Sequence, residues 1–249
     1  MHLSHTQISM ILRCPRQWQY RYEYGIKQPT THHLTLGSAY HKSLETNFVQ
    51  KKDTEQDLPL DVVQDAFSDD WEKRLQSEDV VFVDAKPGEV KDRGIKLVSA
   101  YHTRVAPTVQ PFMVEEPFSI PLQKDWDLNG IIDLMTYDGV VDHKTASKSW
   151  TQDAADKELQ PTMYLLASRE LGLPFKEFEY HVAVSKGTPE IQRIKTTRGE
   201  QEMEWYLELA RQAIKVIQNG VFMPAAPGSW WCGSKWCAYT PMCRPWTRE

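Results

Sequence analysis

Hydrophobic and polar positions follow a helical period over roughly the first hundred residues. Ser4-His5-Thr6-Gln7 reads as a capping box, and Ile8, Ile11 and Leu12 follow at helical spacing. Pro15 ends this first helix or opens a second. Tyr40, Leu44 and Phe48 form one stripe of a helix over 37–51, entered at Gly37. Val63, Phe67, Trp71 and Leu75 recur every four residues over 59–76. Pro87 opens a fourth helix carrying Val90, Leu97, Val98, Tyr101 and Val105, although Gly94 inside it lowers its propensity.

Beyond this the period shortens. The stretch 112–122, FMVEEPFSIPL, predicts a strand with Pro117 at an edge or bulge. GIIDLMTY and VVDHKTA flank Asp138-Gly139, a strong hairpin signal. A helix over 152–171 follows, then the strands FEYHVAVS and EIQRIKTT joined through Lys186-Gly187, then a long helix over 198–219. The last thirty residues are rich in Pro, Gly, Trp and Cys and read as irregular. No internal repeat is present. The order predicts an α/β fold with a central mixed sheet flanked by helices. One domain spans 1–249: a mainly helical part to 110, a sheet core over 111–197, and a helix with a cysteine-rich lobe over 198–249.

Composition supports a globular chain. The 249 residues are 41% hydrophobic and 25% charged, which excludes a disordered chain, a collagen and a coiled-coil rod. No apolar run is long enough to span a membrane. The first ten residues, MHLSHTQISM, lack the basic start and apolar run of a signal peptide, so a cytoplasmic location is expected. The net charge of −5 is unevenly spread: residues 1–50 carry +3, residues 211–249 carry +4, and the middle carries −12. Local basic patches, rather than net charge, steer a polyanion.

The hairpin concentrates the chemistry. With Asp138-Gly139 as a two-residue turn, Tyr137 pairs with Val140, Met135 with Asp142, and Asp133 with Lys144. Paired residues share a face, so Asp133, Asp142 and Lys144 project to one side and Ile132, Leu134, Val141 and His143 to the other. Two carboxylates this close favour a cation between them, and oxygen ligands suit Mg²⁺ or Mn²⁺. A surface hairpin with an Asp–Lys cross-strand pair would show the same residues. Asp142, however, lies in an apolar run where an unpaired acid is costly to bury.

GIIDLMTYDGVVDHKTASKSW resembles the core of the PD-(D/E)XK nucleases, in particular their RecB-like exonuclease branch. Gly130-Ile131-Ile132-Asp133 matches the Asp that follows a Gly-hydrophobic pair, and Asp142-His143-Lys144 matches the acid-x-Lys motif, with Thr145 next. Gln160 and Tyr164 match a Gln-x-x-x-Tyr motif, His41 after Gly37 matches an upstream histidine, and Glu115-Glu116-Pro117-Phe118 is similar to the strand before the hairpin. The resemblance implies a restriction-endonuclease-like core. It implies His41, Asp133 and Asp142 as Mg²⁺ or Mn²⁺ ligands, with the backbone carbonyl of His143 as a further ligand and Lys144 as the catalytic lysine. Gln160, Tyr164 and Glu116 then contact DNA or support the site, with Glu115 an equal alternative to Glu116.

Cys14, Cys232, Cys237 and Cys243 are the four cysteines. Grouped cysteines in a cytosolic chain point to metal. Their one-plus-three spacing resembles that of nucleases in the same branch that carry an iron–sulfur cluster, which implies [4Fe–4S]. Four thiolates also satisfy tetrahedral Zn²⁺, although no Cys-x2-Cys knuckle is present. A shared cofactor would close a loop of 218 residues, worth about 5 kcal/mol of chain entropy. Trp230, Trp231, Trp236 and Trp246 would shield it.

Arg13, Arg16, Arg21 and Lys27 interleave with Trp18, Tyr20, Tyr22 and Tyr24, a pattern that fits phosphate contacts from Arg16 and Arg21 or aromatic packing. Together these features lead to an expected metal-dependent DNA exonuclease acting on single-stranded or duplex ends, in recombination, phage replication or CRISPR adaptation. A non-catalytic DNA-binding subunit and a zinc-stabilised interaction protein are the alternatives. There is no Gly-x4-Gly-Lys-Ser/Thr motif, so a helicase would have to be a separate partner.

Overall fold

The computed structural model describes residues 1–226, 228–234 and 236–243. Trp246, expected to shield a cofactor, lies outside the described residues. In chain order the elements are β1 (His2–Leu3), α1 (His5–Arg13), α2 (Pro15–Trp18), β2 (Thr30–Thr31), α3 (His32–Thr54), α4 (Leu60–Ser77), β3 (Val80–Val81), α5 (Pro87–Arg104), β4 (Pro111–Gln123) and β5 (Trp126–Thr136). They continue with β6 (Gly139–Ala146), α6 (Gln152–Lys157), α7 (Gln160–Glu170), β7 (Glu177–Val184), β8 (Glu190–Thr197), α8 (Glu200–Gln218) and α9 (Thr240–Cys243). The chain divides into two compact units: 1–28 with 119–130 and 201–249, and 29–118 with 131–200.

In the first unit Ser4 Oγ caps α1 by accepting from the Gln7 amide at 3.3 Å. Gln7 does not complete a reciprocal box; its side chain instead accepts from Trp18 Nε1 at 3.0 Å. Cys14 is extended between the helices, and Pro15 opens α2, where a missing N–H costs nothing. A π-helical turn over Gln19–Glu23 follows. The Trp18 ring stacks on Phe222 at 5.7 Å, and Tyr20 meets Tyr239 at 5.2 Å. Trp18 and Tyr20 therefore pack, as the blander reading of their pattern expected, while Tyr22 and Tyr24 are exposed. β1 runs parallel to the start of β5.

The second unit holds a mixed sheet in the order β5-β6-β7-β8, antiparallel, parallel, antiparallel. Helices α3, α4 and α5 cover a core that includes Tyr40, Phe48, Phe67, Trp71, Leu97, Tyr101, Leu134 and Val141. Fully burying one such large apolar side chain is worth roughly 1.5–3 kcal/mol. The predicted α/β class, with a central mixed sheet between helices, is observed.

Three local expectations are corrected. The hairpin register is shifted by two residues: Leu134 pairs with Val141, Met135 with Val140, and Thr136 with Gly139. The turn is Tyr137-Asp138, and Tyr137 is 78% exposed. Gly139 is glycine because the backbone of the neighbouring strand β7 lies close beside it. An added Cβ would lie 2.5 Å from the Glu177 carbonyl oxygen, so the Asp-Gly signal marked a close approach of the adjacent parallel strand. A shift of two keeps every side chain on its face. Helix α3 starts at His32, five residues before Gly37, with Thr31 Oγ1 accepting from the Leu34 amide at 3.4 Å. The single helix expected over 152–171 is two helices, because Pro161 lacks the N–H that would carry α6 onward. Gly94 is helical and close-packed: a Cβ there would lie 2.0 Å from the Phe67 ring. Among the described residues no helix is long and apolar enough to cross a membrane.

Candidate active site

Strands β5 and β6 bring Asp133 and Lys144 to the wall of a cleft of about 920 Å³ in the second unit. His41, Glu115, Asp133 and Lys144 line the cleft, and Asp142 is buried behind them. Asp133 Oδ2 accepts from the His143 amide at 3.0 Å and lies 3.1 Å from His41 Nδ1. Asp142 splits its oxygens: Gln160 Nε2 donates to Oδ1 at 2.8 Å, and Lys144 Nζ is 2.6 Å from Oδ2. Helix α3 thus delivers His41, helix α7 delivers Gln160, and the hairpin delivers the remaining three.

The two aspartates are driven apart in acidity. Burial opposes ionisation of Asp133, but His41 and the hydrogen bonding of His143 outweigh it and hold this carboxyl well below its ordinary value. Burial pushes Asp142 up to about 6, with Asp133 adding to the rise and Lys144 opposing it. Such divergence is characteristic of paired catalytic carboxylates. For Lys144, burial works against the charged form, yet Asp142 and Asp133 hold its ammonium above the ordinary value. For His41, burial is likewise outweighed by Asp133, so its pKa is raised.

Glu115 is the acid of β4 that reaches the cleft; Glu116 is not among the cleft residues. Its backbone is left-handed, φ 52°, which a non-glycine residue holds only under constraint from its surroundings. Burial, Asp133 and Glu45 push Glu115 up to about 7.

A buried polar chain runs behind the hairpin. The Tyr101 hydroxyl bridges His143 Nε2 at 3.0 Å and His181 Nδ1 at 2.8 Å. His181 Nε2 faces Glu179 at 3.5 Å, and Arg193 forks onto Glu179 at 2.7 and 2.8 Å. Burial lowers His143 to about 4, so its ring is neutral. One hydroxyl between two neutral imidazoles donates to one and accepts from the other, which fixes both rings. His143 therefore gives its amide to Asp133 while its ring is anchored in the core. No local motif links Tyr101, on the apolar stripe of α5, with His181, on β7. The histidine in VVDHKTA, at a core position, was the available hint.

Arg198 is a second silent supporter. Its buried guanidinium donates to the Asp156 and Glu158 carbonyls, both at 3.0 Å, and to Thr162 Oγ1 at 3.1 Å. It ties the end of α6 to the start of α7, where Gln160 sits. Tyr164 is buried one turn farther along α7, edge-on to Phe118 at 6.0 Å.

As the side chains stand, no three of the described histidine, cysteine, aspartate and glutamate residues converge closely enough to hold an ion. The donor chemistry nevertheless fits a hard divalent cation. Carboxylate oxygens from Asp133, Asp142 and Glu115 share the site with His41, and burial raises the pKa of Asp142 and Glu115 despite the cations beside them.

In the first unit Cys14, Cys232, Cys237 and Cys243 line one small cavity with Arg16, Gln17, Tyr20, Tyr239 and Thr240. Cys14 Sγ accepts from the Ala225 amide at 3.3 Å, and burial pushes the Cys237 thiol up. The free volume is about 20 Å³, room for about one water, so a cluster would need these walls to part. Arg16 bonds Gln19 at 2.9 Å, and the Arg21 guanidinium lies 5.7 Å from the Tyr22 ring. Trp230 and Trp236 are exposed and meet edge to face at 5.3 Å.

No curated protein matches the sequence. Among solved structures, the chain is similar to a provisionally assigned exonuclease of Eubacterium rectale, with a TM-score of 0.67 at 10% identity over 100% of this chain and 90% of that one. The structure of SSO0001 aligns at a TM-score of 0.48 and 14% identity, over 99% of this chain and 87% of that one. The first likeness is one of fold. The sequence profile of the PD-(D/E)XK nuclease superfamily matches residues 2–244, nearly the whole chain and both halves of the acid-and-lysine hairpin, and the chain belongs to that superfamily.

Proposed function

We propose that the protein is a divalent-metal-dependent deoxyribonuclease that hydrolyses phosphodiester bonds from strand ends. The observation that carries this reading is the joining of His41, Asp133 and Lys144 on one cleft to the buried Asp142, which Lys144 and Gln160 hold from either side. Asp133, Asp142 and His41 would hold Mg²⁺ or Mn²⁺, with Glu115 and the His143 carbonyl as further donors. The ion, when bound, supplies Lewis-acid stabilisation and a more acidic water.

The protein groups have separate tasks. Lys144 stays an ammonium, because Asp142 and Asp133 outweigh its burial. It orients the attacking water and stabilises charge that develops on the phosphate. Gln160 holds Asp142 through one oxygen and leaves its other oxygen beside Lys144. The His143 amide fixes the Asp133 rotamer. Tyr101 and Arg198 keep the two supporting elements in register.

The four cysteines support a second part of the proposal, a [4Fe–4S] cluster joining Cys14 to Cys232, Cys237 and Cys243. Four thiols on one cavity wall, drawn from both ends of the chain, fit its donor chemistry. Its task would be to fix the first unit. Digestion of end-labelled single- and double-stranded DNA with Mg²⁺ or Mn²⁺ tests the nuclease reading. Shortening from the label-free end is expected; intact DNA under every metal condition would overturn it.

A further inference from the structure

The cleft carries a second set of groups away from the carboxylates. Its cations divide into two kinds. Lys42 is paired with Glu45, Arg74 with Asp70 and Glu78, and Lys144 with Asp142. Arg93 and Lys148 also line the cleft, and neither has an ion-pair partner among the described residues. His33 lies with Arg93 toward the start of α3. From His33 to His41 the helix rises about 12 Å. That spans about three nucleotide steps at the roughly 3.4 Å rise of a duplex strand, and fewer in an extended strand.

Trp150 is the cleft's aromatic group, half-buried, six residues past Lys144. It is clamped. Its amide donates to Gln192 Oε1 at 2.8 Å, and its carbonyl accepts from Gln192 Nε2 at 3.3 Å. Its ring meets Tyr180 edge-on at 5.1 Å, and Tyr180 pairs with Asp142 across the β6–β7 ladder. A core aromatic does not need both backbone groups held by one side-chain amide at a cleft wall. A stacking platform gains from that rigidity, because less freedom is lost when a base settles on it. The volume of about 920 Å³ is at the top of the range for small-ligand pockets and accommodates a few nucleotides.

We propose that this cleft takes a single unpaired nucleic-acid strand: Trp150 stacks a base next to the phosphate at Asp133 and Lys144, and Arg93, with His33, holds a phosphate farther along. The proposal rests on the nuclease reading for the position of the reacting phosphate. A base must leave its helical stack to lie on an indole, so the site selects unpaired strands over blunt duplex.

Binding is measured by fluorescence anisotropy without divalent metal, using a fluorescein-labelled short oligothymidine and a blunt duplex of similar length. The wild type is expected to favour the single strand. Trp150→Leu weakens single-strand binding about five- to a hundredfold, the range for one stacked base, and Trp150→Phe restores most of it. Arg93→Gln lowers the slope of log K against log salt by about 0.7, one single-strand phosphate contact. Gln192→Ala, which frees the Trp150 backbone without touching the ring, gives a smaller loss and serves if Trp150→Leu fails to fold. Equal wild-type affinity for both DNAs, or unchanged single-strand binding and salt slope in Gln192→Ala and Arg93→Gln, would overturn the proposal. Failure of the nuclease reading is seen separately, in the cleavage rate of Asp142→Ala.

Discussion

The side-chain amide of Gln160 donates to Asp142 Oδ1 at 2.8 Å, while Lys144 Nζ lies 2.6 Å from Oδ2. One oxygen is thus fixed by a neutral donor and the other faces a charge. Gln160→Ala frees the carboxylate to rotate toward Lys144. Loss of an outer hydrogen-bond partner of this kind reduces metal affinity or activity about 10–100-fold. A titration of cleavage rate against Mg²⁺ should show the midpoint moved to higher metal with the fold intact. An unchanged midpoint and rate would remove Gln160 from the site.

Glu179 gives an acid-stability prediction away from the metal donors. Burial alone would raise its pKa, but the bonds from His181 and the Arg193 fork bring it from 4.5 to about 2. A carboxyl lowered on folding adds stability above its unfolded pKa, and that stability is lost as pH falls from about 4.5 to about 2. Glu179→Gln should therefore melt lower than wild type at pH 7, with the difference shrinking across that acid range. Thermal melts at stepped pH decide it; a difference that stays constant would contradict the assignment.

Gly94 should not tolerate alanine, although alanine is worth about 1 kcal/mol more in a helix interior. The added Cβ falls 2.0 Å from the Phe67 ring, between α5 and α4. Overpacking of this kind costs about 1–3 kcal/mol. Denaturant unfolding of Gly94→Ala should show a net loss, and Gly94→Ala with Phe67→Leu should recover part of it.

These cases show which features the chain declares locally. Helical stripes such as Val63-Phe67-Trp71 and the two-period strands were readable, because one face of each is buried. The acid-and-lysine hairpin was readable because its motif is contiguous. Its register was not, since Asp-Gly reports a need for glycine without saying whether a turn or a neighbouring backbone creates it; at Gly139 it is the Glu177 carbonyl. Glu115 and Glu116 were indistinguishable by pattern, because the left-handed backbone at Glu115 breaks the alternation that would have separated them. Tyr101, His181 and Arg198 act across spans of 36 to 80 residues, beyond any local signal.

For the cysteines, anaerobic purification followed by iron and sulfide analysis and a visible spectrum should find about four irons per chain. Cys14→Ala should lose the absorbance and fall in solubility and melting temperature, because the long loop is no longer closed. Zinc in place of iron would replace the cluster with a tetrahedral site. Equal melting temperatures of mutant and wild type would contradict a structural role.

The most direct test of the central claim compares wild type with Asp142→Ala and Lys144→Ala, using end-labelled DNA, Mg²⁺ or Mn²⁺, and a parallel binding assay. Asp142→Ala should abolish cleavage by removing an oxygen donor, and Lys144→Ala should remove most cleavage while metal binding persists. DNA binding should survive both changes, because phosphate contacts are spread over many cations. Wild-type cleavage rates in both variants would contradict the account.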